Sequence, residues 1–258
     1  MAYTKEQQRN LTESCASAYS GLRELMLACV RHSEAIDIDA SKEHLIHGAA
    51  RRLGVMARAL QVVFERFPLV TDKPLPTEFL HDVQINLHAF VINLSGVFEN
   101  FAWAFVLRHD LLKTVGGAHH VGMFKPATRK HLPDSVLTYL ASDVTNRWHT
   151  EYLKSYRDAL AHRIPLYIPP KILTKEEGER YSVLEAEKWS LAGLDRGERM
   201  DALTEEQESI GSPCFHFLHS FAEGEASRPL QLHPQVISDS TTVIEFGHLF
   251  LAAWHERQ

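Results

Sequence analysis

Residues 83–107 constrain this chain more than any other stretch. Seventeen of these twenty-five residues are apolar. A run that is apolar on nearly all sides reads as a helix at the centre of its bundle. It still carries Gln84, Asn86, His88, Asn93, Glu99 and Asn100, which makes it too polar for a membrane span of about 20 residues. Asn86, Asn93 and Asn100 recur at heptad spacing. On a helix such positions drift by only about 20° per step, so they form one line. Gly96 falls on that line and Glu99 sits beside it. An unpaired buried amide costs about 1–3 kcal/mol, so the line needs partners. Two readings follow. The asparagines form a ladder of core hydrogen bonds, extended across a dimer interface where Gly96 permits close approach. Alternatively, Glu99 and Asn100 support a site facing a neighbouring helix.

Apolar residues at i, i+3 and i+4 predict four long helices in the first two-thirds of the chain. They cover about residues 4–30, 41–67, 77–112 and 133–163. Thr4 and Gln7 have the spacing of a capping box, Pro68 stops the second helix, and Pro133 suits the first position of the fourth. Beyond Pro169 and Pro170 the chain becomes acidic and broken. Short pieces at Tyr181–Leu184, Cys214–Leu218 and Pro229–Leu232 are expected as strands. A last helix is expected from about Ser240. The fold class is therefore mainly α. An up-down helical bundle spans 1–171, and a small α+β or irregular excursion spans 172–237. A C-terminal helix at 238–258 returns to the bundle, giving one domain overall.

The chain has 258 residues, 45 % of them hydrophobic and 23 % charged, values that exclude disordered and collagen-like classes. Cys15, Cys29 and Cys214 are few and unclustered. They are expected as free thiols in a reducing cytoplasm. The polar N-terminus does not resemble a signal peptide, and no membrane partner is expected. Net charge is −6 but uneven: −1 over residues 1–124, +4 over 125–171 and −9 over 172–258. The chain as a whole would repel nucleic acid, and only the middle block offers phosphates a favourable surface.

That block contains Arg157, Asp158 and His162, off the aromatic face of the fourth helix. On an ideal helix Arg157 and His162 are about 140° apart and bracket the outward side, with the small Ala161 between them. Pro165 should end the helix near Arg163, so His162 falls in the last turn. Imidazole exchanges protons most readily near neutral pH, which suits general acid–base work. A guanidinium one turn earlier can hold a phosphate and offset charge in a transition state. Together they suit transesterification of RNA by its own 2′-hydroxyl, a reaction that requires no metal or other cofactor.

The segment Tyr156-Arg157-Asp158-Ala159-Leu160-Ala161-His162-Arg163 resembles the HEPN superfamily. Its members share a helical bundle with an Arg-x4–6-His motif late in it. The resemblance covers roughly residues 40–165, and about eight of those form the motif. It implies a homodimer in which the motif faces its copy, forming a composite, metal-independent endoribonuclease site with Arg157 and His162 as catalytic residues. It implies supporting roles for Glu99, Asn100 and Asp158. The basic Arg147, Lys154 and Arg163 are then expected to contact RNA phosphates. It also implies a toxin or defence setting with an antitoxin-like protein as partner. The alternative is a non-catalytic HEPN-like module that binds nucleotide, RNA or protein. Some toxin members carry a Tyr two positions after the His, where this chain has Ile164.

An Arg-x4–6-His pattern alone is weak, since the three spacings together give about three matches by chance in a chain of this composition. A second match, Arg228 to His233, contains Pro229 and is not expected to be helical. The weight lies in helical context and the surrounding basic residues. Rival constellations are thinner. Glu78/His81 and Glu245/His248 have the spacing found in di-iron bundles, but further inward glutamates are missing. His44/His47 and His216/His219 lack a third zinc ligand nearby. No metal is expected.

Overall fold

The computed structural model describes residues 3–191, 196–218 and 229–256. The protein is mainly helical. Helix α1 (Lys5–Glu34) begins with the expected capping box. The Gln7 amide donates to Thr4 Oγ1 (3.2 Å), and the Thr4 amide donates to Gln7 Oε1 (2.8 Å). The second helix runs as α2 (Asp39–Glu43), a π-helical stretch (His44–Ala50) and α3 (Arg51–Arg66), ending just before Pro68. The third, α4 (Thr77–Arg108), is the centre of the fold. Among the described residues it is the one helix long and apolar enough to cross a membrane, and most of that span is buried within the protein.

The core forms where α4 meets α3 and helix α11 (Leu232–Ala252). Phe98 lies 4.6 Å from Phe246 and Phe101 lies 4.9 Å from Phe250, ring centre to ring centre. Such aromatic side chains each contribute about 1.5–3 kcal/mol through burial. Helices α1 and α11 approach closely because both carry glycine at the crossing. A Cβ on Gly21 would meet Ile244 at 2.7 Å, and one on Gly247 would meet Leu25 at 2.4 Å.

The fourth helix departs from expectation. In place of one helix over 133–163 there are α6 (Asp134–Ala141), α7 (Asp143–Arg147), a π-helical stretch (Trp148–Leu153) and α8 (Lys154–His162), preceded by the single turn α5 (Pro126–Arg129). The break falls at Ser142, whose backbone is extended (ψ 144°) and whose hydroxyl accepts from the Thr145 amide. Ser followed by Asp is a strong helix start, and here it wins over the continuing apolar periodicity. Pro133 caps α6 from outside. Pro165 has the effect expected of it, since α8 ends at His162 and Arg163 is extended.

The acidic excursion holds two helices, α9 (Lys175–Ser190) and α10 (Arg196–Ser209). Tyr181–Leu184 is therefore not a strand but the middle of α9. Thr174 and Glu177 close a capping box there, and the surrounding Glu, Arg and Lys favour helix over the short β-prone run. Ion pairs Arg180–Glu206 and Arg199–Glu187 join α9 to α10. The other two pieces do pair. Strand β1 (His216–Phe217) is antiparallel to β2 (Leu230–Gln231), with Phe217 opposite Leu230. Helix α11 starts at Leu232, eight residues before expectation, because Pro234 sits in the first turn, where a missing N–H costs nothing. Arg228 of the second Arg-x4-His match lies outside the described residues, and His233 is buried in α11.

Two buried polar groups tie α11 to the rest. His233 Nε2 donates to the Phe67 carbonyl (2.7 Å), and burial lowers its pKa to about 4. Asp239 accepts from Trp148 Nε1 (2.8 Å), the Tyr152 hydroxyl (2.6 Å) and Gln235 Nε2 (2.9 Å). Burial raises its pKa to about 6, with the three hydrogen bonds opposing that rise.

Candidate functional site

Helix α8 presents Arg157, Asp158 and His162. Arg157 Nη1 pairs with Asp158 Oδ1 at 3.0 Å. Its Nε is buried and has no hydrogen-bond partner, a costly state for a donor. His162 is exposed as the last residue of α8. Among the described residues no hydrogen bond or ion pair joins Arg157 to His162, and five residues apart on a helix they stand about 140° from one another.

Glu99 comes from α4 and meets this cluster from below. Burial pushes its carboxyl above the usual range, and the charges of Lys125 and Arg157 pull it partly back. Its carboxylate also lies against Gly122, where a Cβ would stand 3.0 Å from Oε2. Any larger residue there would push the carboxylate away. Glu99 is thus a half-buried acid placed between two cations, one on the loop after α4 and one on α8.

His149, from the π-helical stretch before α8, completes the group. Its ring stacks on Phe124, with centres 3.6 Å apart and planes 9° apart. Its pKa falls to about 4, mainly through burial, then through the charges of Lys154, Arg157 and Arg129, with Asp158 opposing. His149 is therefore a neutral imidazole in a cationic setting. The sequence reading did not single out His149, Lys125 or Arg129. The +4 charge of the middle block was the signal that contained the last two.

Of the expected phosphate contacts, Lys154 is exposed and its charge reaches His149. Arg163 is exposed just beyond α8. Arg147 donates to the Asp143 carbonyl (3.3 Å) and lines a cavity of about 260 Å³ with Trp148, Tyr152, Tyr156 and Leu230.

Asn100 belongs elsewhere. Its Oδ1 accepts from Arg52 Nε (2.8 Å), and its Nδ2 lies 3.1 Å from His44 Nδ1. Asn93 Oδ1 accepts from Arg52 Nη1 (3.1 Å). Asn86 instead donates to the Asp82 carbonyl one turn back. The polar line on α4 thus serves Arg52 of the same chain. Gly96 gives room to that guanidinium, since a Cβ there would meet it at 2.5 Å. The line's neighbour Glu99 faces the other way, so two polar groups flank the one central helix.

Among the described residues no group of three or more His, Cys, Asp or Glu side chains is arranged to hold a metal ion, and the three cysteines are free. Comparison of the chain with protein-family models, with curated proteins and with solved structures finds no match.

Proposed function

We propose that the chain is a metal-independent endoribonuclease of HEPN type, acting in the cytoplasm as a homodimer with Arg157 and His162 as catalytic residues. The observation that carries this reading is the state of Arg157. Its guanidinium is held by Asp158, lies in the field of Glu99 and keeps a buried Nε without a partner. Such an arginine is held in place with a donor still to satisfy, and a guanidinium is suited to a phosphate. His162 at the end of the same helix is open to solvent and to a substrate.

In the reaction, a 2′-hydroxyl oxygen attacks the adjacent phosphorus. One imidazole takes its proton, and another gives a proton to the departing 5′-oxygen. A dimer supplies both through the two copies of His162. Arg157 neutralises the charge that grows on the non-bridging oxygens, the form of stabilisation that contributes most when donors are already in place. The products are a 2′,3′-cyclic phosphate and a 5′-hydroxyl. In a toxin or defence setting, an antitoxin-like protein would act by covering α8.

The test is incubation of purified protein with mixed RNA in EDTA. The expected result is cleavage that persists in the chelator. Binding of RNA without cleavage at any protein concentration would replace this reading with that of a non-catalytic RNA- or nucleotide-binding module.

A further inference from the structure

On the side of α4 away from Glu99, Arg52 lies half-buried between α3 and α4. Both of its acceptors are neutral amides, Asn93 and Asn100. Other arginines of the fold pair with carboxylates: Arg58 with Glu65, Arg66 with Asp82, Arg157 with Asp158. Among the described residues no carboxylate pairs with Arg52. A half-buried guanidinium that faces a cavity without a counter-ion is suited to an anionic ligand.

The surroundings are shaped for one. Arg52 opens onto a cavity of about 380 Å³ that also exposes His44, His47 and Arg51. Two glycines within helices keep it clear. A Cβ on Gly96 would strike the Arg52 guanidinium, and one on Gly48 would come within 2.4 Å of the Asn100 amide. Glycine inside a helix costs about 1 kcal/mol against alanine, so each needs such a reason. The π-helical stretch His44–Ala50 contributes His44, His47 and Gly48 to the lining, and such stretches are frequent at functional sites.

The hydrogen bonds also fix the polarity of the wall. Arg52 donates to Asn100 Oδ1, so the Asn100 amide nitrogen faces His44 and donates to its Nδ1. The His44 proton is then on Nε2, and the ring is held flat against Trp103 (centres 5.5 Å apart, planes 7° apart). Nε2 is a donor. Arg52, Arg51 and His44 thus supply donors to one cavity, and His47 adds a further imidazole. Glu43, exposed at the rim, is the one carboxylate among its lining residues.

We propose that this cavity is a phosphate-binding site, separate from the Arg157 site, whose ligand is a phosphate monoester of nucleotide size held by Arg52. The volume exceeds what a bare phosphate fills and falls in the range of small-molecule pockets, about 300–1,000 Å³.

The test is calorimetric titration of the intact protein, without RNA, with adenosine 5′-monophosphate, inorganic phosphate and adenosine. The monophosphate is expected to bind with a dissociation constant of about 0.1 mM or tighter. Inorganic phosphate should bind more weakly and adenosine not measurably. Equal binding of inorganic phosphate would assign the site to free phosphate. Asn100→Asp is the decisive variant. It places a carboxylate where Arg52 Nε and a protonated His44 can both donate, so the protein stays folded with its counter-ion built in. Monophosphate affinity is expected to fall at least tenfold, while Arg157→Ala leaves it within about twofold. No binding of either phosphate probe up to about 10 mM, or undiminished affinity in folded Asn100→Asp, would overturn the proposal.

Discussion

Replacing Asp239 by alanine is expected to destabilise the protein by about 3 kcal/mol at pH 5, measured by urea unfolding. The carboxyl is fully buried and accepts from Trp148, Tyr152 and Gln235. Alanine would strand the indole N–H and the Tyr152 hydroxyl in the interior, at about 1–3 kcal/mol for each orphaned donor. The same bonds tie α11 to the stretch that leads into α8, so the loss is expected to loosen the helix bearing Arg157.

The pH dependence of this contribution has a definite sign. Asp239 titrates near 6 when folded, against 3.8 ordinarily. Between those values the native state holds a proton that the unfolded chain has lost, so stability from this group falls as pH rises from about 4 to about 6. His233 does the opposite. Its folded value is about 4 against 6.5, so the unfolded chain binds the extra proton and stability rises with pH over nearly the same window. Each amounts to about 3 kcal/mol, at about 1.4 kcal/mol per unit. The two largely cancel in the wild type. The deficit of Asp239→Asn relative to wild type should therefore shrink as pH rises from 4 to 6, and that of His233→Gln should grow. Parallel pH profiles for the three proteins would contradict this assignment.

The second large effect is on catalysis. His162→Ala is expected to lower RNA cleavage by about 10²–10⁴-fold, the range for removing a general acid or base. Arg157→Ala is expected to cost about 10²–10³-fold through lost charge stabilisation. Both variants should unfold at the wild-type urea concentration, because His162 is exposed and Arg157 is a partly exposed ion pair. On the proposed reading Glu99 acts through Arg157, as a positioning residue. Its charge acts on the guanidinium only when the carboxyl is ionised, and its titration is displaced upward. Wild-type kcat/KM should therefore decline as pH falls through that displaced value. Glu99→Gln should be less active and keep only the shallower acidic decline that protonation of the base His162 imposes. A profile for Glu99→Gln of the same shape as wild type would remove Glu99 from the site.

Much of the helical architecture is local in origin, and the sequence carries local signals openly. The Thr4–Gln7 box, the stop at Pro68 and the end of α8 before Pro165 are each decided within a few residues. Elsewhere two local signals compete. At Ser142 a cap interrupts an unbroken apolar period. In α9 a Tyr-Ser-Val-Leu run lies inside strong helix formers. At Pro234 a breaker falls in the one turn that tolerates it. The sites are legible only in part, because their chemistry is assembled over distance. Asn93 and Asn100 announce that α4 needs polar partners, but Arg52 and His44 lie more than forty residues away. Glu99 was singled out for its place beside that line, yet it turns toward α8 and away from it. Asp239 lies among serines and threonines in α11, and nothing near it in sequence names Trp148 and Tyr152. His149 has no motif at all; only packing against Phe124 sets it apart.

The central claim is that a 2′-hydroxyl of the substrate is the nucleophile. It is tested most directly by mapping one cleaved position in an RNA oligonucleotide and replacing that nucleotide alone by its 2′-deoxy form. The account predicts that cleavage at this position disappears in EDTA while other positions are still cut, and that each cut leaves a 2′,3′-cyclic phosphate on the upstream fragment and a 5′-hydroxyl on the downstream one. Cleavage of the 2′-deoxy position at an undiminished rate would contradict it.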